Sequence, residues 1–251
     1  MNAVELKDLT VKFGNFTAVD RLTLGVAKGE IFGFLGANGA GKTTAIRVMC
    51  GLLLPTSGAV RIAGMDFSSG KDAIKRKVGY MSQKFTLYDD LSVMENLNFK
   101  AGIRKISGAD AGARIDRVFD FIGFKAGRDT MVRELPAGVK QQVSLAATLL
   151  HDPEIVFLDE PTSGVSPAVR ASFWSLIRKL AGEGKTVFVT THYMDEAEEC
   201  GRIALMRAGK LIALGSPREL EKTTYPSGLT KDGKKPVLED VFLKLVEGDE
   251  R

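Results

Sequence analysis

Thiols and imidazoles are scarce in this chain. Its 251 residues hold two cysteines and two histidines. Cys50 and Cys200 lie far apart without a metal-ligand spacing, which points to two reduced thiols in a cytosolic protein rather than a disulfide framework. His151 and His192 are too few for a His-rich metal site. No apolar run reaches the roughly 20 residues that a membrane-spanning helix needs. No N-terminal stretch joins basic residues, an apolar run and a small-residue cleavage site. The expectation is a cytoplasmic chain, with any spanning helices supplied by another chain. Charge of one sign is also in short supply. Lys and Arg number 35 against 31 Asp and Glu, a formal net charge of +4. That excess does not argue for a nucleic-acid partner, and none is expected; it would also suit an anionic membrane face. Internal repeats are absent as well.

What is present is a core. Hydrophobic residues make up 44% of the chain, enough for one large or two small domains. Residues 3–13 alternate apolar and polar and read as a half-buried strand. Residues 22–36 read as a strand, a turn at Lys28-Gly29, and an apolar strand covered on both faces. A helix is expected from Thr43 to Leu53, stopped by Pro55, and a short strand over 59–64. From about Lys84 to His151 the spacing of Leu91, Met94, Leu97, Ile115, Val118, Phe119 and Ile122 is helical. Strand signals return at 154–159, 186–191, 202–206 and 210–215, with helical stretches between the first three. That alternation implies parallel crossovers. Residues 222–236 read as a mobile connection, and 237–247 as an amphipathic closing helix.

The segment GANGAGKT, Gly36 to Thr43, fits G-x-x-x-x-G-K-[ST] and stands between a predicted strand and a predicted helix. Gly36, Asn38, Gly39, Ala40 and Gly41 let the backbone curl so that N–H groups face a phosphate. The helix N-terminus adds its positive end. Lys42 offers a charge for the β- and γ-phosphates. The Thr43 hydroxyl suits Mg²⁺, and Thr44 is placed for a further phosphate contact. Asp159 ends the apolar run IVFLD, where a carboxylate meets the metal shell. Glu160 follows on the loop, where it can orient or deprotonate an attacking water.

Three more stretches narrow the choice among nucleotide hydrolases: Tyr80-Met81-Ser82-Gln83, Leu135 to Gln142, and Thr190-Thr191-His192. In this order, with SGVSP after Asp-Glu, they resemble the nucleotide-binding subunit of an ATP-binding cassette (ABC) transporter over nearly the whole chain. The resemblance implies an α/β P-loop NTPase of ABC type, with a mainly parallel sheet core, an N-terminal antiparallel β region and an inserted helical subdomain. It implies a nucleotide-binding core over 1–84 and 152–215, a helical subdomain over 85–151 and a C-terminal tail over 216–251. It also implies ATP and Mg²⁺ as ligands. Phe13 matches the aromatic that stacks on adenine, although a core strand aromatic reads the same way. Gln83 matches the glutamine that reaches Mg²⁺ and the attacking water. His192 matches the histidine at the γ-phosphate.

Residues 83–97 and 191–217, and the ending PVLEDVFLKLVE, are similar to the ATPases of bacterial export-type transporters that move drugs or polymers. A transmembrane permease partner follows from that likeness, with this chain peripheral on the inner face of the cell membrane. Phe85, Leu87 and Tyr88 read either as an apolar patch for that partner or as core. A soluble ABC ATPase without a membrane partner is the alternative, and a nucleotide-binding scaffold with negligible turnover is a third reading.

One motif departs from the family. Where a partner's ATP usually meets L-S-G-G-Q, this chain has Leu135-Pro136-Ala137-Gly138-Val139. Pro136 lacks the serine hydroxyl and N–H. Ala137 adds a methyl where backbone should approach phosphate, and Val139 lacks the glutamine's polar contacts. Gly138 is kept. Ser166 stands where the family usually has Asp, yet Ser166-Pro167 remains a good helix start. With one cassette visible, the expectation is a dimer with a second ABC ATPase subunit, identical or not, in which this chain's signature contribution is impaired.

Overall fold

The computed structural model describes residues 1–84, 86–230 and 232–248. Phe85, one of the three apolar patch residues, lies outside them.

The N-terminal strand β1 (Asn2–Phe13) turns through Gly14 and pairs antiparallel with β2 (Phe16–Ala27). β4 (Ser57–Ile62) pairs antiparallel on the other edge of β1, giving a three-stranded sheet β2-β1-β4. The second sheet has the order β5-β6-β7-β3-β8-β9, from β3 (Ile31–Leu35), β5 (Val78–Met81), β6 (Ile155–Asp159), β7 (Thr186–Thr191), β8 (Arg202–Arg207) and β9 (Lys210–Gly215). Its pairs are parallel except the last. β8 and β9 are joined by Ala208 and Gly209, both at positive φ, as a two-residue hairpin turn demands. The edge strand is therefore antiparallel, at the one place in this sheet, among the described residues, where no helix separates consecutive strands.

Every residue of β6 and β7 is buried. Their apolar runs hide a period of two that the packing reveals. Phe32, Phe34, Phe157 and Phe188 project toward the antiparallel sheet and α1 (Lys42–Met49). The Phe188 ring lies 5.1–5.4 Å from the other three. Leu35, Val156, Leu158, Val187 and Val189 project the opposite way into a core shared with helices. Two cores thus clamp one sheet, which is why these strands read as continuous rather than alternating.

Between β5 and β6 the chain forms α3 (Val93–Ile103), α4 (Gly108–Ile122) and α5 (Ala137–Leu149). α3 starts at a capping box of Ser92 and Glu95, and α4 starts at Ser107, whose hydroxyl accepts from the Asp110 N–H. After β6 come α6 (Pro167–Gly182) and, after β7, α7 (Met194–Glu198).

Three local features differ from the sequence expectation. α1 stops at Met49, four residues short of Leu53, because the chain turns at Gly51, φ 69°, whose N–H bonds the Val48 carbonyl. A short helix α2 (Lys71–Lys77) precedes β5. Residues 222–224 complete α8 (Pro217–Thr224), which a Ser216–Glu219 capping box starts, so the connection is helical at its beginning. The closing helix α9 (Leu238–Gly248) is present. Among the described residues no helix is long and apolar enough to cross a membrane.

Candidate functional site

The loop between β3 and α1 lies at the carboxyl ends of the parallel strands. Gly36 and Gly41 sit at φ 152° and 101°, and a Cβ on either would fall 2.3 or 2.4 Å from the carbonyl oxygens of Met206 and Ala18. Only glycine allows the curl this close to neighbouring backbone. Lys42 turns back into that curl. Its Nζ donates to the Gly36 oxygen at 2.6 Å and to the Ala37 oxygen at 3.1 Å, and the residue is 4% exposed. Burial lowers the pKa of the Lys42 amine, against the opposing pull of Glu160 and Asp159.

Thr43, one residue further, faces β6. Its Oγ1 donates to Asp159 at 3.0 Å. Asp159 is buried and also accepts from Thr190 Oγ1 at 2.7 Å and from the Tyr80 hydroxyl at 3.3 Å. Burial, and then the charge of Asp159, push the Tyr80 hydroxyl's pKa upward, so it serves as a donor. A carboxylate in low dielectric is costly unless donors surround it; three hydroxyls do so here.

Glu160 leaves β6 at φ 48°, with its N–H donating to Thr190 Oγ1 at 2.8 Å. Its Oε2 accepts from Gln83 Nε2 at 2.9 Å and lies 3.4 Å from His192 Nδ1. Three residues from three strand ends, spread over more than a hundred positions of sequence, meet on one oxygen. A cavity of about 380 Å³ opens beside them, lined by Phe16, Ala18, the loop from Asn38 to Thr44, Gln83 and Glu160.

Other expected residues fall elsewhere. Phe13 is 52% exposed, which rules out the core reading; the cavity is lined instead by Phe16, its hairpin partner, 64% exposed. Sequence reading missed Phe16, although its place across a tight hairpin from Phe13 was a signal. Pro136, Ala137 and Gly138 form the start of α5 and do not line the cavity. Pro136 is the N-cap and its carbonyl accepts from the Val139 and Lys140 N–H groups at 2.9 and 3.0 Å. A Cβ on Gly138 would fall 2.7 Å from Val169 on α6, so the glycine is a packing requirement of this chain. Ser166 takes the N-cap of α6 without a capping bond from its side chain, and Pro167 follows at the first turn. Leu87 is buried, whereas Tyr88 is exposed and meets the Phe99 ring edge-on at 5.1 Å.

Comparison with known proteins agrees with this arrangement. The profile of the family described as ABC transporter matches residues 19–163. The chain is 45% identical over 243 residues to the "Probable multidrug ABC transporter ATP-binding protein YbhF" of Escherichia coli, covering 97% of this chain and 41% of that one. It therefore spans less than half the length of that relative. It is 35% identical to the Nod factor export ATP-binding protein I of Cupriavidus metallidurans, covering 86% of this chain and 72% of the relative. A solved ATP-binding cassette, a dimer in a post-hydrolysis state with ADP and Pi, superposes with a TM-score of 0.75 at 26% identity, over 85% of this chain and 98% of that one. With its glycine loop, Asp159 cluster and this kinship taken together, the chain belongs to the ABC transporter family, as an ATP-binding domain of the P-loop ATPase type.

Proposed function

We propose that this chain binds Mg–ATP and hydrolyses it to drive an export-type transporter through a separate membrane subunit. The observation that carries the reading is the convergence of Gln83 and His192 on the Glu160 carboxylate beside the phosphate loop. In this reading Glu160 orients and deprotonates the attacking water. Gln83 holds that water from the other side, and His192 donates to the γ-phosphate. Lys42 exchanges its two backbone carbonyls for phosphate oxygens. The N–H groups from Asn38 to Thr44 cradle the chain of phosphates, and the Phe16–Phe13 hairpin offers a ring for adenine.

The oxygen donors of Thr43 and Asp159 fit Mg²⁺, which favours hard ligands and keeps few from the protein. Gln83, which lines the same cavity as Thr43, would be the third ligand. When bound, Mg²⁺ neutralises charge on the β- and γ-phosphates.

The signature face supports an unequal dimer. Pro136 gives no hydroxyl and no N–H, and Ala137 adds bulk, so this chain's offering to a partner's ATP is weak. A second ABC ATPase subunit with an intact signature would complete the active composite site. Export is supported by the relatives' names, and Tyr88, Phe99 and Ile103 form an exposed apolar face suited to a membrane subunit at the inner side of the cell membrane.

The test is ATP hydrolysis by the purified chain across a wide concentration range, with Glu160→Gln as the blank. Turnover that rises faster than linearly supports two copies forming working sites. Turnover at the blank level, restored by Pro136→Ser, Ala137→Gly and Val139→Gln together, supports the unequal pair. Silence in both refutes hydrolysis by this chain alone and favours the scaffold reading.

A further inference from the structure

Glu196 is a carboxylate with no place in the cluster described above, yet it is only 2% exposed. It stands on α7 in the acidic run MDEAEE, where the other acids, Asp195, Glu198 and Glu199, face solvent. Its Oε2 accepts from Thr191 Oγ1 at 2.6 Å, and its Oε1 accepts from Thr162 Oγ1. Arg170 of α6 brings Nε to 3.3 Å from Oε1, close enough for an ion pair although its N–H makes no hydrogen bond. One terminal nitrogen of Arg170 donates to Asp195 at 3.1 Å. The guanidinium then lies on the Tyr193 ring, 3.9 Å from its centre, and that ring sits 4.2 Å from His192. The Tyr193 N–H closes the circuit by donating to Thr191 Oγ1 at 3.0 Å.

His192 is 39% exposed and cannot be held by burial. Both its chain neighbours are held instead. Thr191 is tied to Glu196 directly, and Tyr193 is tied to it through Arg170. The same carboxylate holds Thr162, two residues beyond Glu160. A buried carboxylate needs its donors and its counter-charge, so displacing Thr162, Thr191 or Arg170 from Glu196 is costly. A flat guanidinium suits both duties of Arg170, pairing and stacking, which an ammonium does not.

We propose that Glu196 and Arg170 are positioning residues. As one ion pair they fix His192 opposite Glu160 and link that alignment to α6, the helix that opens at Ser166. The proposal deepens the hydrolytic reading and rests on it for its kinetic consequence, but its structural consequence is independent of turnover.

The chain has only two histidines, so the His192 imidazole is directly readable by ¹H–¹³C NMR, with His151 as internal control. In the full chain, Arg170→Lys and Glu196→Gln are expected to shift or split the His192 signals and leave those of His151 in place. Turnover, where the wild type shows it, is expected to fall at least tenfold with KM and nucleotide affinity within twofold. In a His192→Ala background the same changes should cost less than twofold more, because their effect runs through that imidazole. Should Glu196→Gln fail to fold, Arg170→Lys, which keeps the charge, carries the test. Unmoved His192 signals in folded Arg170→Lys overturn the proposal. So do additive losses with His192→Ala. A chain that stays silent both as wild type and with Pro136→Ser, Ala137→Gly and Val139→Gln, yet shows shifted His192 signals in Arg170→Lys, refutes hydrolysis by this chain alone and leaves the brace supported.

Discussion

Two helix N-termini in this molecule have opposite equipment. α1 opens from a glycine curl, carries Lys42 and Thr43 in its first turn, and joins the Asp159 cluster through a hydroxyl. α5 opens from Pro136, has no acidic or basic residue ahead of Lys140, and turns its glycine against Val169. Both ends carry the positive pole of a helix dipole. Only the first has donors arranged to use it. The two ends therefore differ in backbone curvature and in side-chain donors, not in dipole.

The comparison breaks most sharply at Glu160. Glu160→Gln removes the proposed base while leaving the loop intact, so turnover should fall by about 10²–10⁴-fold with ATP affinity retained, as read by kinetics beside a fluorescent-nucleotide titration. At the second terminus, restoring serine, glycine and glutamine at positions 136, 137 and 139 should raise concentration-dependent turnover by about tenfold or more, the effect of a hydrogen bond to a charged group, about 1.5–3 kcal/mol. A smaller effect tests the packing role of Gly138. Gly138→Ala gains helix propensity, about 1 kcal/mol, but overpacks Val169 at a cost of about 1–3 kcal/mol. A lower denaturation midpoint is expected, largely recovered when Val169→Ala is added.

The smallest effect lies at the far end of α5. His151 Nε2 lies 2.9 Å from the Val78 carbonyl, and burial, helped by Arg104, lowers its pKa from 6.5 to about 4. The folded state thus binds the proton later than the unfolded chain. Stability from this group is full above pH 6.5 and is lost as pH falls toward 4. His151→Gln should flatten that window in urea melts at pH 7 and pH 5.

The glycine loop, Asp159, Glu160 and the strand ends were legible because each is a residue type forced by its position. Gly36 must be glycine beside the Met206 carbonyl, and strands buried on both faces leave unbroken apolar runs. α2 was not legible: Ile74 is its one buried residue, so no period develops. α8 was legible in principle through Ser216 and Glu219, but the Lys- and Gly-rich stretch after it obscured the signal. Glu196 was hidden for the opposite reason. An acid among acids reads as solvated surface, and only the fold brings Arg170 and two threonines around it. Phe16 was missed since sequence alone does not say which ring of a hairpin pair faces the cavity.

The Lys42 amine bound to the Gly36 and Ala37 carbonyls has a kinetic consequence. Glycine-rich backbone loses more freedom on ordering than any other. Here the Lys42 amine ties the curl together through two carbonyl oxygens, so part of that ordering is secured by the chain's own contacts. In the proposed reading, phosphate oxygens replace those carbonyls around the same nitrogen. Nucleotide entry should accordingly be a single fast phase without a preceding rearrangement of the loop.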